Sequence, residues 1–188
     1  MARVSVSPET FNLVNFDAPT IAGIAEDVAV AVGLGSDVAV SITVDEAAML
    51  GKAQSRVESG GVIVEATGGA FESLRKARDF DEVRCRSILG QALLRARDRL
   101  DPAFGDPPAD DVLSVQLEVA WATTIEGRLH RLGIITGRPQ RRIYHFRVRH
   151  GFSDGVDQVF QQLWDGEHLT WPEIEAASAE AAGDPVKA

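Results

Sequence analysis

The chain has 188 residues, 45% of them hydrophobic, and a formal net charge of −9, enough apolar material to bury roughly two-thirds of its surface without covalent staples. Its single cysteine, Cys85, excludes an internal disulfide framework and a thiolate metal cluster within one chain. No apolar h-region is readable at the N-terminus, and Glu26 and Asp27 interrupt the most hydrophobic helix, so neither a signal peptide nor a membrane span is expected and a cytoplasmic location is.

The charge is unevenly spread. Residues 1–74 carry 3 basic and 10 acidic side chains, residues 75–149 carry 15 and 10, and residues 150–188 carry 1 and 8. A basic island between acidic ends either meets an anionic partner or is neutralised by the chain's own carboxylates; neutralisation is the stronger expectation.

In chain order, Arg3 to Ser7 alternates Val4 and Val6 with polar residues before Pro8, which suits a short edge strand. Asp17 caps a helix with Ile21, Ile24, Ala25, Val28, Ala31 and Val32 as its buried stripe, ended by Gly33. Asp37 to Asp45 is a strand with Val38, Val40, Ile42 and Val44 on one face. Mixed signals follow, with a helical turn at Ala47 to Leu50, until Ser59-Gly60-Gly61 turns the chain into a strand over Val62 to Ala66. Thr67-Gly68-Gly69 ends that strand, and the helical pattern after it kinks or breaks around Asp79.

From Asp81 the pattern is regular. Cys85, Ile88, Leu89, Ala92, Leu93, Ala96 and Leu100 form one helical stripe, and Asp101-Pro102 stops it. The strongest helix signal runs from Asp110 to Gly133, with Leu113, Leu117, Trp121, Ile125, Leu129 and Leu132 along one side. A short connector with Gly105 and two prolines implies that these two helices form a hairpin. After a turn at Thr136 to Pro139, Arg141 to His150 alternates like a strand: Tyr144, Phe146 and Val148 face the core, and Ile143, His145, Arg147 and Arg149 face away. Two capped helices close the chain, one from Ser153 or Asp154 and one from Thr170-Trp171-Pro172-Glu173. The expected fold is therefore α+β, a small sheet packed by helices around a central helical hairpin, as a single domain over residues 1–183 with 184–188 as a frayed tail.

Candidate chemistry is sparse. Cys85 lies on an apolar stripe with Asp81 and Glu82 one turn away, and carboxylates raise a thiol pKa, so it reads as a packed core residue. Glu126 and His130 have the i, i+4 spacing of a metal pair but need a third ligand, for which His145 is the first to test. Thr67-Gly68-Gly69 lacks both the Walker and the dinucleotide spacing and reads as a turn. The best case for a binding surface is the group Arg138, Arg141, Arg142, Arg147 and Arg149, because guanidinium forks grip carboxylates and phosphates at two points. Strand alternation sends Tyr144 and Phe146 to the face opposite Arg147 and Arg149, which counts against a base-stacking platform.

The run of a capped helix, an alternating strand, a second strand and a long helix resembles the element order of small bacterial zincin-like metallopeptidases over the first half of the chain. Their helix carries His-Glu-x-x-His. Here the corresponding helix has Asp81-Glu82-x-x-Cys85 and Gln91-Ala92-Leu93-Leu94-Arg95 and no histidine between Asp81 and Leu100, so the resemblance implies a scaffold without the zinc site.

The expectation is a non-catalytic cytoplasmic interaction or regulatory protein, with no catalytic residue, metal or cofactor, that binds a protein or acidic ligand through Arg141, His145, Arg147 and Arg149. The alternatives are an enzyme with a site near Glu126, His130 and His145, and a nucleic-acid-binding protein. A membrane partner is not expected, and the oligomeric state is not readable.

Overall fold

The computed structural model describes residues 3–136 and 139–183. The chain is α+β and divides into two compact units, Met1–Leu100 and Asp101–Ala188. The two long helices of the expected hairpin fall in different units, so neither unit is built around the pair. Residues 184–188, expected as a tail, and Gly137 and Arg138, from the expected turn, lie outside the described residues.

The first unit is a sheet with helices on one face. Strands β1 (Arg3–Ser7), β2 (Ala39–Asp45), β3 (Ala53–Glu58) and β4 (Gly61–Thr67) lie in the order β1-β2-β4-β3. β1, β2 and β4 are parallel, and β3 runs antiparallel to β4 along the outer edge. Helices α1 (Ala18–Ala31) and α3 (Glu82–Leu100) pack on each other and on the sheet. Val40, Ile42 and Val44 of β2 and Val62, Val64 and Ala66 of β4 are buried on the helix side, against Ile21, Ile24 and Val28 of α1 and Leu89, Leu93 and Leu94 of α3. The opposite face is polar: Ser5 Oγ donates to Ser41 Oγ at 3.3 Å, and Arg56 bridges Glu58 and Glu65 at 2.6 Å each.

β3 carries no clear strand signal because its inward position is Ser55, whose buried hydroxyl donates to the Ala92 carbonyl of α3 at 2.9 Å. Ser59 (φ 50°) and Gly60 (φ 77°) supply the two left-handed residues of a tight hairpin between β3 and β4. After Thr67 the chain makes one helical turn, α2 (Gly68–Phe71), then runs irregularly to α3, so the break expected near Asp79 comes earlier. Asp17 caps α1 as expected, accepting from the Thr20 N–H at 2.9 Å and its hydroxyl at 2.6 Å.

The second unit is helical. α4 (Val115–Arg131), capped by Ser114, packs with α5 (Pro139–His150), α6 (Asp154–Asp165) and α7 (Trp171–Ala181). The helix starts later than expected, since Asp110 to Ser114 is irregular and Val112 is exposed. Trp121 is fully buried, stacked on Phe104 at 5.7 Å and edge-on to Trp171 at 5.4 Å. At Gly127 α4 meets the end of α6 so closely that a Cβ would lie 2.0 Å from the Trp164 carbonyl oxygen. One turn on, Arg131 donates to the Trp164 and Gly166 carbonyls at 2.6 and 2.9 Å, satisfying groups that the end of α6 leaves free. The expected capping box of α7 is present: Glu173 accepts from the Thr170 N–H at 2.7 Å and its hydroxyl at 2.8 Å.

Two substitutions measure this packing in denaturant melts. Gly127→Ala gains up to about 1 kcal/mol of helix propensity, but its methyl group meets a backbone carbonyl, so a net loss of roughly 1 to 3 kcal/mol is expected. A stabilised Gly127→Ala protein would show that the two helices do not touch there. Trp121→Ala is expected to cost about 3 to 5 kcal/mol.

Candidate binding surface on helix α5

The segment read as an arginine-bearing strand is the helix α5, and the correction changes which residues share a face. Pro139 occupies its first position, where a missing N–H costs nothing, and arginine and glutamine favour a helix over a strand. Burial follows the helical period: Phe146 and His150 are buried, Arg142, Ile143 and Arg147 are partly buried, and Tyr144 and Val148, assigned to the core by alternation, are 61% and 47% exposed.

The inward side of α5 is tied to three helices. Arg142 forms an ion pair with Glu126 of α4, with side chains 19% and 18% exposed. Arg147 reaches Asp157 of α6 with both arms of its fork, Nε to Oδ1 at 2.7 Å and Nη2 to Oδ2. The hydrogen bonds from Arg147 hold the Asp157 carboxyl below its ordinary pKa and raise that of Arg147. The His150 ring stacks on Phe146 with centroids 4.1 Å apart and lies 3.2 Å from the Phe146 carbonyl and 3.0 Å from the Ser178 hydroxyl of α7. The neutral ring with its proton on Nδ1 donates to Phe146 and accepts from Ser178. Burial lowers the pKa of His150, opposed by its hydrogen bond to the Phe146 backbone.

The outward side carries two rows. Arg141, His145 and Arg149 recur every four residues and are exposed; Tyr144 and Val148 form a second row beside them. Gly151, at φ 115°, turns the chain after α5 so that Phe152, 68% exposed, returns to the Tyr144 ring with centroids 6.5 Å apart. The Gly151 N–H donates to the Arg147 carbonyl at 2.8 Å, and Gln116 of α4 donates to the Arg149 carbonyl at 3.3 Å. Among the described residues no acidic side chain forms an ion pair with Arg141 or Arg149.

Of the four residues expected to bind a ligand, the structure therefore brings Arg141, His145 and Arg149 onto one exposed face and commits Arg147 to Asp157. Tyr144, Val148 and Phe152 are the members of that face that sequence reasoning missed. Pro139 opens a run of twelve residues that Gly151 ends, too long for an ordinary strand, and these two residues were the available signal.

The other candidates do not form a site. Glu126 is engaged by Arg142, the exposed His130 lies beside Trp164 with ring centroids 5.8 Å apart, and His145 lies on the outward side of α5. Among the described residues no three His, Cys, Asp or Glu side chains come together as a metal-binding group. Cys85 is fully buried and its thiol is pushed up to about 12 by desolvation. At Thr67-Gly68-Gly69, the Gly69 N–H donates to the Ala48 carbonyl at 3.2 Å, and a Cβ on Gly69 would lie 1.9 Å from the Met49 oxygen, so these glycines serve close backbone packing. No helix among the described residues is long and apolar enough to cross a membrane. In comparisons with protein-family models, curated proteins and solved structures, nothing matches the chain.

His150 gives the second unit a pH dependence of defined sign. Its folded pKa lies below the ordinary histidine value near 6.5, so as pH falls the unfolded chain takes up the proton first. Its contribution is intact above that value and is lost as pH falls toward and through the lowered one. Denaturant midpoints at pH 7.5 and 5.5 should drop for the wild type and drop less for His150→Phe; equal drops would show that other groups dominate.

Proposed function

We propose that the protein is a non-catalytic interaction protein that holds an acidic ligand against the outward side of α5. The observation that carries the reading is the pairing of exposed Arg141, His145 and Arg149 with exposed Tyr144, Val148 and Phe152 on a helix whose inward side is fixed by Glu126, Asp157 and Ser178. Large exposed apolar side chains side by side with guanidinium groups that no described carboxylate pairs with suit a binding surface. A cytoplasmic setting fits a chain with one buried free cysteine. The zincin-like element order enters this reading only as a scaffold, since α3 carries Gln91 and Arg95 and no histidine.

A second reading, nucleic-acid binding, gains from the helix, which puts Tyr144 and Phe152 on the side of Arg141 and Arg149. Two permanent cations on a chain of net charge −9 provide few phosphate contacts, so we rank it below the acidic-ligand reading.

Titration of the isotope-labelled chain with a disordered poly-glutamate peptide at low salt tests the reading by amide chemical shifts. Perturbations are expected at residues 141–152, with affinity falling about tenfold in Arg141→Glu/Arg149→Glu, roughly 1.4 kcal/mol. Perturbations confined to other elements, or an unchanged affinity in the double variant, would discard it.

A further inference from the structure

Resting on that reading, we infer that the ligand is an acidic amphipathic helix of a partner protein, seated in the groove between the two rows of α5. Arg141, His145 and Arg149 form one i, i+4, i+8 ridge, and Tyr144 and Val148 form the neighbouring one, extended by Phe152 where Gly151 folds it back. Parallel ridges of this spacing enclose a groove that accepts the corresponding ridge of another helix, at a crossing angle of about −50°. From Arg141 to Arg149 the cationic ridge is about 12 Å long, at 1.5 Å per residue, or a little over two helical turns.

The composition of the ridges defines the occupant. A helix with apolar side chains at every fourth position fills the groove, and carboxylates on the flank facing Arg141 and Arg149 meet guanidinium groups that no described carboxylate pairs with. An extended peptide fits less well: the α5 backbone is satisfied within its own helix and has no edge to which a strand could add. A helix satisfies its own backbone and presents only side chains. Single-stranded nucleic acid would stack on Tyr144 and Phe152 but would find only two permanently charged contacts. The partner is thus identified by a double periodicity, apolar and acidic, and net negative charge alone is not sufficient.

The test compares three probes on the full chain: a synthetic helical peptide of about eighteen residues with leucines at every fourth position flanked by a row of glutamates, a scrambled peptide of identical composition, and an oligodeoxythymidine. The helical peptide is expected to bind at least tenfold more tightly than the scrambled one, with amide shifts at residues 141–152. Tyr144→Ser/Val148→Ser, which alters only exposed side chains and should leave circular dichroism unchanged, is expected to remove that advantage. Equal binding of the two peptides at α5 would overturn the helical partner yet leave the acidic-ligand reading standing. Absence of any α5 perturbation with all three probes and with poly-glutamate would remove both. Tighter, steeply salt-dependent binding of the oligonucleotide would replace the helical partner with nucleic acid.

Discussion

The second unit depends on how closely α4 can approach α6. At Gly127 the two helices leave no room for a side chain, because a Cβ there would press on the Trp164 carbonyl. Once the helices meet there, Arg131 lies within reach of the carbonyls at the end of α6, and Glu126, adjacent to the contact, meets Arg142 of α5. Asp157 of α6 takes the Arg147 fork, and His150 reaches Ser178 of α7. Around this crossing α5 is tied to three neighbours. The contact also explains why hydrophobic burial alone does not describe this unit: partly buried charged groups at its seams tolerate little displacement without losing their partners.

Those ties sort the arginines of the basic island into two kinds. Arg86 lies 3.6 Å from Asp27, Arg131 lies 3.7 Å from Glu167, and Arg147 pairs with Asp157, so each meets a carboxylate from one of the acidic ends. Arg142 uses Glu126, which belongs to the island itself. Neutralisation by the chain's own acid accounts for these four and does not extend to Arg141 and Arg149 among the described residues. The distinction is one of helical phase: adjacent Arg141 and Arg142 are about 100° apart around the axis, enough to put one in a helix seam and the other in water.

The first unit makes a different use of its polar residues. Its sheet buries one face under α1 and α3 and leaves the other to hydroxyl, carboxylate and guanidinium groups that pair across strands. Loops beyond the strand ends are held by side chains taking up backbone groups: Glu46 accepts the N–H groups of Asn12 and Leu13 at 2.8 and 2.6 Å, and Arg84 donates to the Ala70 and Gly69 carbonyls at 2.8 and 3.3 Å. Polar groups in this region that the sequence offers as a candidate site have structural partners, Thr67 and Gly69 among them.

Elements governed by local periodicity and capping were legible from sequence. Asp17, Ser153 and Thr170 begin helices as their side chains dictate, the alternation of Val40, Ile42 and Val44 makes β2, and the stripe from Cys85 to Ala96 makes α3. These signals come from residues a few positions apart, so they survive without knowledge of the fold. Two elements were not legible. β3 hides its inward face behind Ser55, which becomes a good core residue only because the Ala92 carbonyl lies within hydrogen-bonding distance. α5 satisfies the strand period and the helix period at once, since Phe146 is inward in both; its neighbours Glu126, Asp157 and Ser178, distant in sequence, select the helix. The sequence by itself determined the α+β class, the capped helices and the presence of a cluster of arginines between residues 138 and 149. The tertiary structure alone decided which of those arginines remain exposed and that Tyr144, Val148 and Phe152 stand beside them, because orientation around a helix is set by the partners on its inward side.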